Sequence, residues 1–265
     1  MAAFLYNVSL FAHTSADTQL LPNLRSTPSP TTSPSPNTTP STGNSSNMDA
    51  KKLLNQVSNK FEQKDFQGAL NDVGKLIQME PNNGSNYMAR GNIKEKLGDI
   101  QGSVDDFKTG IEKNPNDDGF RGTLAISYFK RNEWATAANE YSGIIKINPN
   151  NVAAYLMRDN CLSKLGNKQA ALEDYSQVIK LEPNKPGGYL LRGRTFAEMG
   201  RMDKAKEELE RSTEMNYPDN ARRAVVHRFI GNVYSKFNQP EDAKRHWETA
   251  LELFRQSNNP NNAMK

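Results

Sequence analysis

The sequence predicts an all-α fold: about six antiparallel helix pairs in tandem, preceded by a disordered tail. Three observations carry that expectation. The first is a period: Pro81, Pro115, Pro149 and Pro183 stand 34 residues apart, in the segments MEPNN, KNPND, INPNN and LEPNK, and a fixed period of this length marks a repeat array. The second is a small residue twelve positions before each proline: Ala69, Ser103, Ala137 and Ala171, continued by Ala205 and Ala243. A small side chain at a fixed place lets two helices approach closely. The third is apolar or small residues three and four apart within each unit, as in Tyr87 and Gly91, then Ile100, Val104, Phe107 and Ile111. That spacing lays a stripe along one side of each helix.

In chain order, residues 1–49 read as a tail. Residues 26–47 consist only of Ser, Thr, Pro, Asn and Gly, which cannot bury enough apolar surface to offset chain entropy. Thr27, Ser29, Ser33, Ser35 and Thr39 each precede a proline, so a proline-directed kinase would make this stretch anionic. The first 25 residues carry no positive charge before Arg25; a secretory signal is not expected, and import into an organelle is the alternative to a cytoplasmic setting. No apolar run is long enough to span a membrane.

The array follows, over residues 50–257, with units near 50–83, 84–117, 118–151, 152–185, 186–219 and 224–257. Each unit is broken in the middle, at Gln63-Lys64-Asp65, Gly98-Asp99, Asn132, Gly166-Asn167, Gly200-Arg201 and Asn238. Glycine ends a helix at positive φ, and Asn or Asp caps the next. Pro240 suits the first turn of the last helix. Four extra residues before the sixth unit predict a longer loop or a change of pitch near 216–223. Residues 258–265 form a polar C-terminal tail.

Composition narrows the function. Apolar residues make up 35% of the chain, lean for a compact enzyme and ordinary for a slender array. The net charge of +4 permits an acidic partner but lacks the clustered basic face of a nucleic-acid binder. The single cysteine, Cys161, excludes an intramolecular disulfide and suits a reducing compartment. His13, His227 and His246 show no metal-ligand spacing, no phosphate loop follows a strand, and no cofactor is expected. The acid pairs Asp105-Asp106 and Glu207-Glu208 are expected on solvated helix faces, and Cys161 in the core.

Counted from residues 50, 84, 118, 152, 186 and 224, the units resemble the tetratricopeptide repeat family. The fourth place holds Leu53, Tyr87, Arg121, Tyr155, Tyr189 and His227. The small eighth place holds Val57, Gly91, Ala125, Asp159, Gly193 and Gly231, and the place four after the small Ala or Ser holds Val73, Phe107, Tyr141, Tyr175, Leu209 and Trp247, expected in the core. The resemblance implies a right-handed superhelix whose first helices line a groove for peptides or helices of partner proteins, with no chemistry of its own. Carried over place by place, the groove residues are Met88, Leu156 and Leu190; Asn92, Ile126, Asn160, Arg194 and Asn232; and Lys96, Lys130, Lys164 and Lys236. An apolar floor, amide rungs and a lysine wall would suit an extended or acidic segment.

Two further functions lose support on residues. Relatives that bind acidic chaperone tails use a carboxylate clamp whose cations are missing here, where Met88, Ala153 and Met157 or Leu156, Val225 and Phe229 stand at the matching places. Helical repeats that read RNA carry rows of polar pairs, which Met88, Ile126, Leu156 and Leu190 interrupt. Asp159 departs from the small-residue rule beside Arg158, with Arg192 one repeat later, and an ion pair with an arginine is expected. The last helix, PEDAKRHWETALELFRQ, carries Leu251 and Phe254 where a polar cap is usual, so a homodimer through this helix is expected.

Overall fold

A computed structural model describes residues 43–257 of the chain, with side chains from Met48 onward. The serine- and threonine-proline steps at 27–39 and the rest of residues 1–42 and 258–265 lie outside the described residues. Twelve helices occur among the described residues: α1 Gly43–Glu62, α2 Phe66–Met79, α3 Gly84–Leu97, α4 Ile100–Lys113, α5 Asp118–Lys130, α6 Trp134–Ile147, α7 Val152–Lys164, α8 Lys168–Leu181, α9 Pro186–Glu198, α10 Met202–Thr213, α11 Asn220–Lys236 and α12 Pro240–Ser257. No strand occurs among these residues. The first helix begins at Gly43, seven positions ahead of the repeat boundary at residue 50.

Local chemistry places most of the helix ends. The fifteenth residue of each repeat has positive φ: Lys64, Gly98, Asn132, Gly166, Gly200 and Asn238. That left-handed step reverses the chain between the two helices of a pair, and three of the six carriers are glycine, which bears it without strain. In three repeats the next residue then caps, the side chains of Asp65, Asp99 and Asn167 accepting from the backbone N–H of Gly68, Gly102 and Ala170, whereas Glu133 and Arg201 at the same place make no such bond. Between repeats the second residue after the proline has the same task. Asn83 accepts from the Ser85 N–H, Asp117 from Gly119 and Asn151 from Ala154; Lys185 makes no such bond and is followed by Pro186 at the first helical turn.

The described residues divide into two compact units, the first ending at Ser127 and the second beginning at Tyr128. In the first unit, Val57, Ala69, Val73, Ala89 and Ile93 form a buried cluster, with Phe61, Phe66 and Leu70 packed on it. Gly91 explains how closely α3 and α4 approach: a Cβ there would lie 2.6 Å from the Phe107 ring and 3.1 Å from the Ser103 carbonyl. In the second unit Gly193 meets Leu209, and Gly231 meets Trp247, in the same way. Tyr141, Tyr175 and Leu209 are buried as expected, whereas Trp247 is not: 41% of it is exposed. Nothing among the described residues packs on its outer edge.

The insertion before the sixth repeat lies in both elements. The connection between α10 and α11 runs over 214–219, six residues against four at the earlier repeat boundaries, and α11 extends to 17 residues. Asp219 caps it by accepting from the Arg222 N–H at 2.7 Å.

Candidate functional site

The expected groove residues separate on burial. Met88, Asn160 and Leu190 are buried, and Leu190 is fully so, which corrects the assignment of Met88 and Leu190 to an open floor and of Asn160 to an open amide rung. The cause is small residues opposite. Met88 fills the space left by Gly110 on α4, where a Cβ would lie 2.7 Å from its sulfur. Gly188 lets α9 close on α8, since a Cβ there would meet Ile179 at 2.7 Å, and the run Gly187 to Leu190 is buried as a block.

Of the remainder, Ile126, Lys96, Lys130, Lys164, Asn232 and Lys236 are exposed, and Asn92, Leu156 and Arg194 are half-buried. Several are engaged within the chain. Lys164 lies 6.0 Å from the Trp134 ring centroid, Lys236 reaches Glu198 at 3.6 Å, and the Asn232 carbonyl accepts from the Trp247 indole at 3.0 Å. Arg194 stands over the Phe229 ring at 5.9 Å and 4.0 Å from Glu198.

In the second unit, the face of α7, α9 and α11 therefore has a different floor from the one expected. Met157, Leu191 and Phe229, one per repeat at the sixth place, are half-buried apolar side chains. Around them stand Arg194, Arg228, Lys164, Asn232 and Lys236. This row was legible as a recurrence of 34 and then 38 residues in apolar identity; what the sequence could not supply was which of the fifth and sixth places faces outward.

A second set of residues was only partly read from the sequence: Arg158 and Arg192 were noted at one repeat spacing, but not the acids that they pair with. Arg90, Arg158 and Arg192, all at the seventh place, each pair with an acid sixteen residues on. Arg90 donates to Asp106 through Nε at 2.8 Å and Nη2 at 2.6 Å, Arg158 to Asp174 through Nε at 2.9 Å and through Nη2, and Arg192 to Glu208 at 2.6 Å. Arg158 and Arg192 also donate backwards to Ser142 and Ser176 of the preceding repeats. Lys94 adds a second cation to Asp106 at 2.8 Å. Asp106 and Glu208 are thus buried and paired, which corrects their placement on solvated faces; Asp105 is exposed. The fork of a guanidinium matches a carboxylate with two bonds, and the Asp106 and Asp174 carboxylates hold the Arg90 and Arg158 guanidiniums still further above their ordinary range.

Asp159 has neither Arg158 nor Arg192 as its partner. It accepts from the Tyr175 hydroxyl and from Ser163 at 3.4 Å, with the Arg194 charge nearby. Burial outweighs these contacts and pushes its carboxyl up to about 7. Cys161 next door is fully buried, as expected, and burial pushes its thiol up to about 12. In the sixth repeat Ile230 replaces the arginine and His246 the acid. The His227 and His246 Nδ1 atoms are 3.0 Å apart, and His246 Nε2 lies 3.1 Å from Glu210 of the fifth repeat. Burial, and then the His246 charge, press His227 down to about 4. Among the described residues no group of three or more His, Cys, Asp and Glu side chains is placed to hold a metal ion, and no helix is long and apolar enough to cross a membrane.

Consecutive helix pairs with a small eighth residue, a left-handed fifteenth and a first-helix face of its own in each repeat define a helical-repeat protein. Residues 123–188 and 186–219 match models of the tetratricopeptide repeat, so this stretch of the chain carries tetratricopeptide repeats. Solved structures of similar fold include the C-terminal part of a TPR repeat-containing protein from Cytophaga hutchinsonii, with a TM-score of 0.64, 15% identity, and 82% of this chain and 88% of that one covered. MamA is similar at a TM-score of 0.52 and 21% identity, over 66% of this chain and 93% of its own. YrrB, described as a TPR protein with an unusual peptide-binding site, is similar at 0.50 and 16% identity, over 68% and 91%. At these identities the likeness is one of fold.

Proposed function

We propose that the chain is a non-catalytic protein–protein interaction scaffold or adaptor that holds an extended or helical segment of a partner protein on the face of α7, α9 and α11. The row Met157, Leu191 and Phe229 carries the proposal: three half-buried apolar side chains at repeat spacing, rimmed by cations and an amide. A long surface of this kind suits a ligand whose many weak contacts add along its length. Arg194, Arg228, Lys164 and Lys236 favour acidic residues in that ligand. The peptide-binding site described for YrrB is in keeping with such a use of this fold. Lys96 and Ile126 of the first unit and Lys130 of the second are exposed and stand as separate candidate contacts on their own helices. The chain's only cysteine, free and buried, suits the cytoplasm. The uncovered face of α12 adds self-association to the proposal.

The test is affinity capture with the full chain and with Leu191→Glu and Phe229→Glu, followed by peptide titration against the proteins retained. The variants should weaken peptide binding at least about tenfold, as loss of a buried apolar anchor does, and binding should fall with salt. Unchanged affinity in both variants would place the ligand elsewhere.

A further inference from the structure

Two places on the second helices reach the repeat that follows, as Val73 clusters with Ala89 and Ile93, and Ile179 lies against Gly188. The twenty-fourth holds Val73, Phe107, Tyr141, Tyr175 and Leu209, none more than 3% exposed. In the first four repeats the twenty-eighth holds Ile77, Ile111, Ile145 and Ile179, buried or half-buried, with Thr213 there in the fifth, and Ile179 lies directly under Gly188 of the next repeat. In α12 the same two places hold Trp247 and Leu251, the latter 51% exposed, with the half-buried Phe254 three residues further. Trp247 cannot fold away: its indole N–H is bonded to Asn232, and its ring lies against Gly231. On the opposite side, Arg245 and His246 are bound to Glu210 of α10, and Lys206 to Asp242. The helix is thus fixed from behind, with an apolar stripe left open in front.

We propose that this stripe pairs with α12 of a second copy of the chain, antiparallel about a twofold axis near Glu248. The inference rests on the self-association proposed above and specifies its geometry. Beside the stripe run Glu241, Lys244, Glu248, Glu252 and Arg255, all exposed. With Trp247 seated on Leu251 of the second copy, an antiparallel pair of helices brings Lys244 to the Phe254 ring of that copy and Glu241 to its Arg255. Twofold symmetry repeats each contact, so residue i meets j and j meets i. The apolar layers and opposite charges then agree in one register, with a cation over an aromatic face at each end. A parallel pair would set Glu241 on Glu241 and Arg255 on Arg255. The antiparallel register leaves one like-charge contact, Glu248 against its symmetry copy.

Sedimentation of the full chain across the micromolar range tests this with four variants. The wild-type chain should dimerise, Leu251→Lys should weaken the dimer at least about a hundredfold, and Glu248→Gln should tighten it. Glu241→Arg should weaken it, and Glu241→Arg with Arg255→Glu should restore it. Because these side chains are exposed, the unfolding temperature of each variant, measured at a concentration where all are monomeric, should match the wild type. A chain monomeric throughout would overturn both the dimer and its geometry, and would assign the stripe to residues 258–265 or to another protein. A dimer that survives Leu251→Lys, or that the double charge swap fails to restore, would overturn the antiparallel register and keep the self-association.

Discussion

Replacing Asp159 by Asn should stabilise the protein increasingly as pH rises. Asp159 is 3% exposed, and its carboxyl titrates at about 7 instead of the ordinary 3.8 because burial penalises the charge more than Tyr175, Ser163 and Arg194 favour it. The folded chain therefore keeps a proton that the unfolded chain has already released. Between those two values the folded state binds up to one proton more, so stability falls by up to about 1.4 kcal/mol per pH unit as pH rises, and is level above the window. Three units of separation give roughly 4 kcal/mol in total. Asn keeps the shape and the acceptor for Tyr175 and cannot ionise. The assay is urea unfolding followed by far-UV circular dichroism, at pH 4.5 and pH 8, for both proteins. All other titrations cancel in the difference between them, which should move by several kcal/mol in favour of the variant at the higher pH. A difference that stays constant with pH would refute a neutral, buried Asp159.

His227 should act with the opposite sign. Its folded pKa lies at about 4, below the ordinary 6.5, so the unfolded chain binds the extra proton and stability is lost as pH falls from about 6.5 towards 4; a His227→Gln variant should show a flatter acid limb in the same unfolding assay. Gly91→Ala should destabilise by about 1–2 kcal/mol, because its Cβ would strike the Phe107 ring and the Ser103 carbonyl, while Gly74→Ala, with nothing within 4 Å, should stabilise by about 0.5–1 kcal/mol through helix propensity; thermal unfolding separates them. Asp106→Ala should cost about 3–5 kcal/mol by leaving Arg90 and Lys94 without their carboxylate, whereas Asp105→Ala, one residue away and exposed, should stay within about 0.5 kcal/mol, as read by urea titration.

Asp105 and Asp106 show why the site was only partly legible. Adjacent acids read alike in sequence, and one lies on a solvated face while the other receives two cations from α3. The same limit separated Leu190 from Leu191. Both are leucines on the expected face, and a rotation of about 100° per residue puts one in the core and the other on the floor of the candidate surface. Met88 was assigned outward because the space that Gly110 leaves beneath it is a property of two helices together.

The sequence by itself determined the helix pairs and their ends, apart from the start of α1 at Gly43. A left-handed residue, a capping side chain and a small eighth residue act within a few positions of the chain or at a fixed repeat distance, so their physics is local and periodic. The tertiary structure alone decided which charges are buried and who satisfies them. Arg158 turned to Asp174, Asp159 was left to Tyr175, and His246 took the place of an acid opposite Glu210. Each of those outcomes depends on side-chain reach across two or three helices, where distances of a few ångströms set the electrostatics and the spacing along the chain does not.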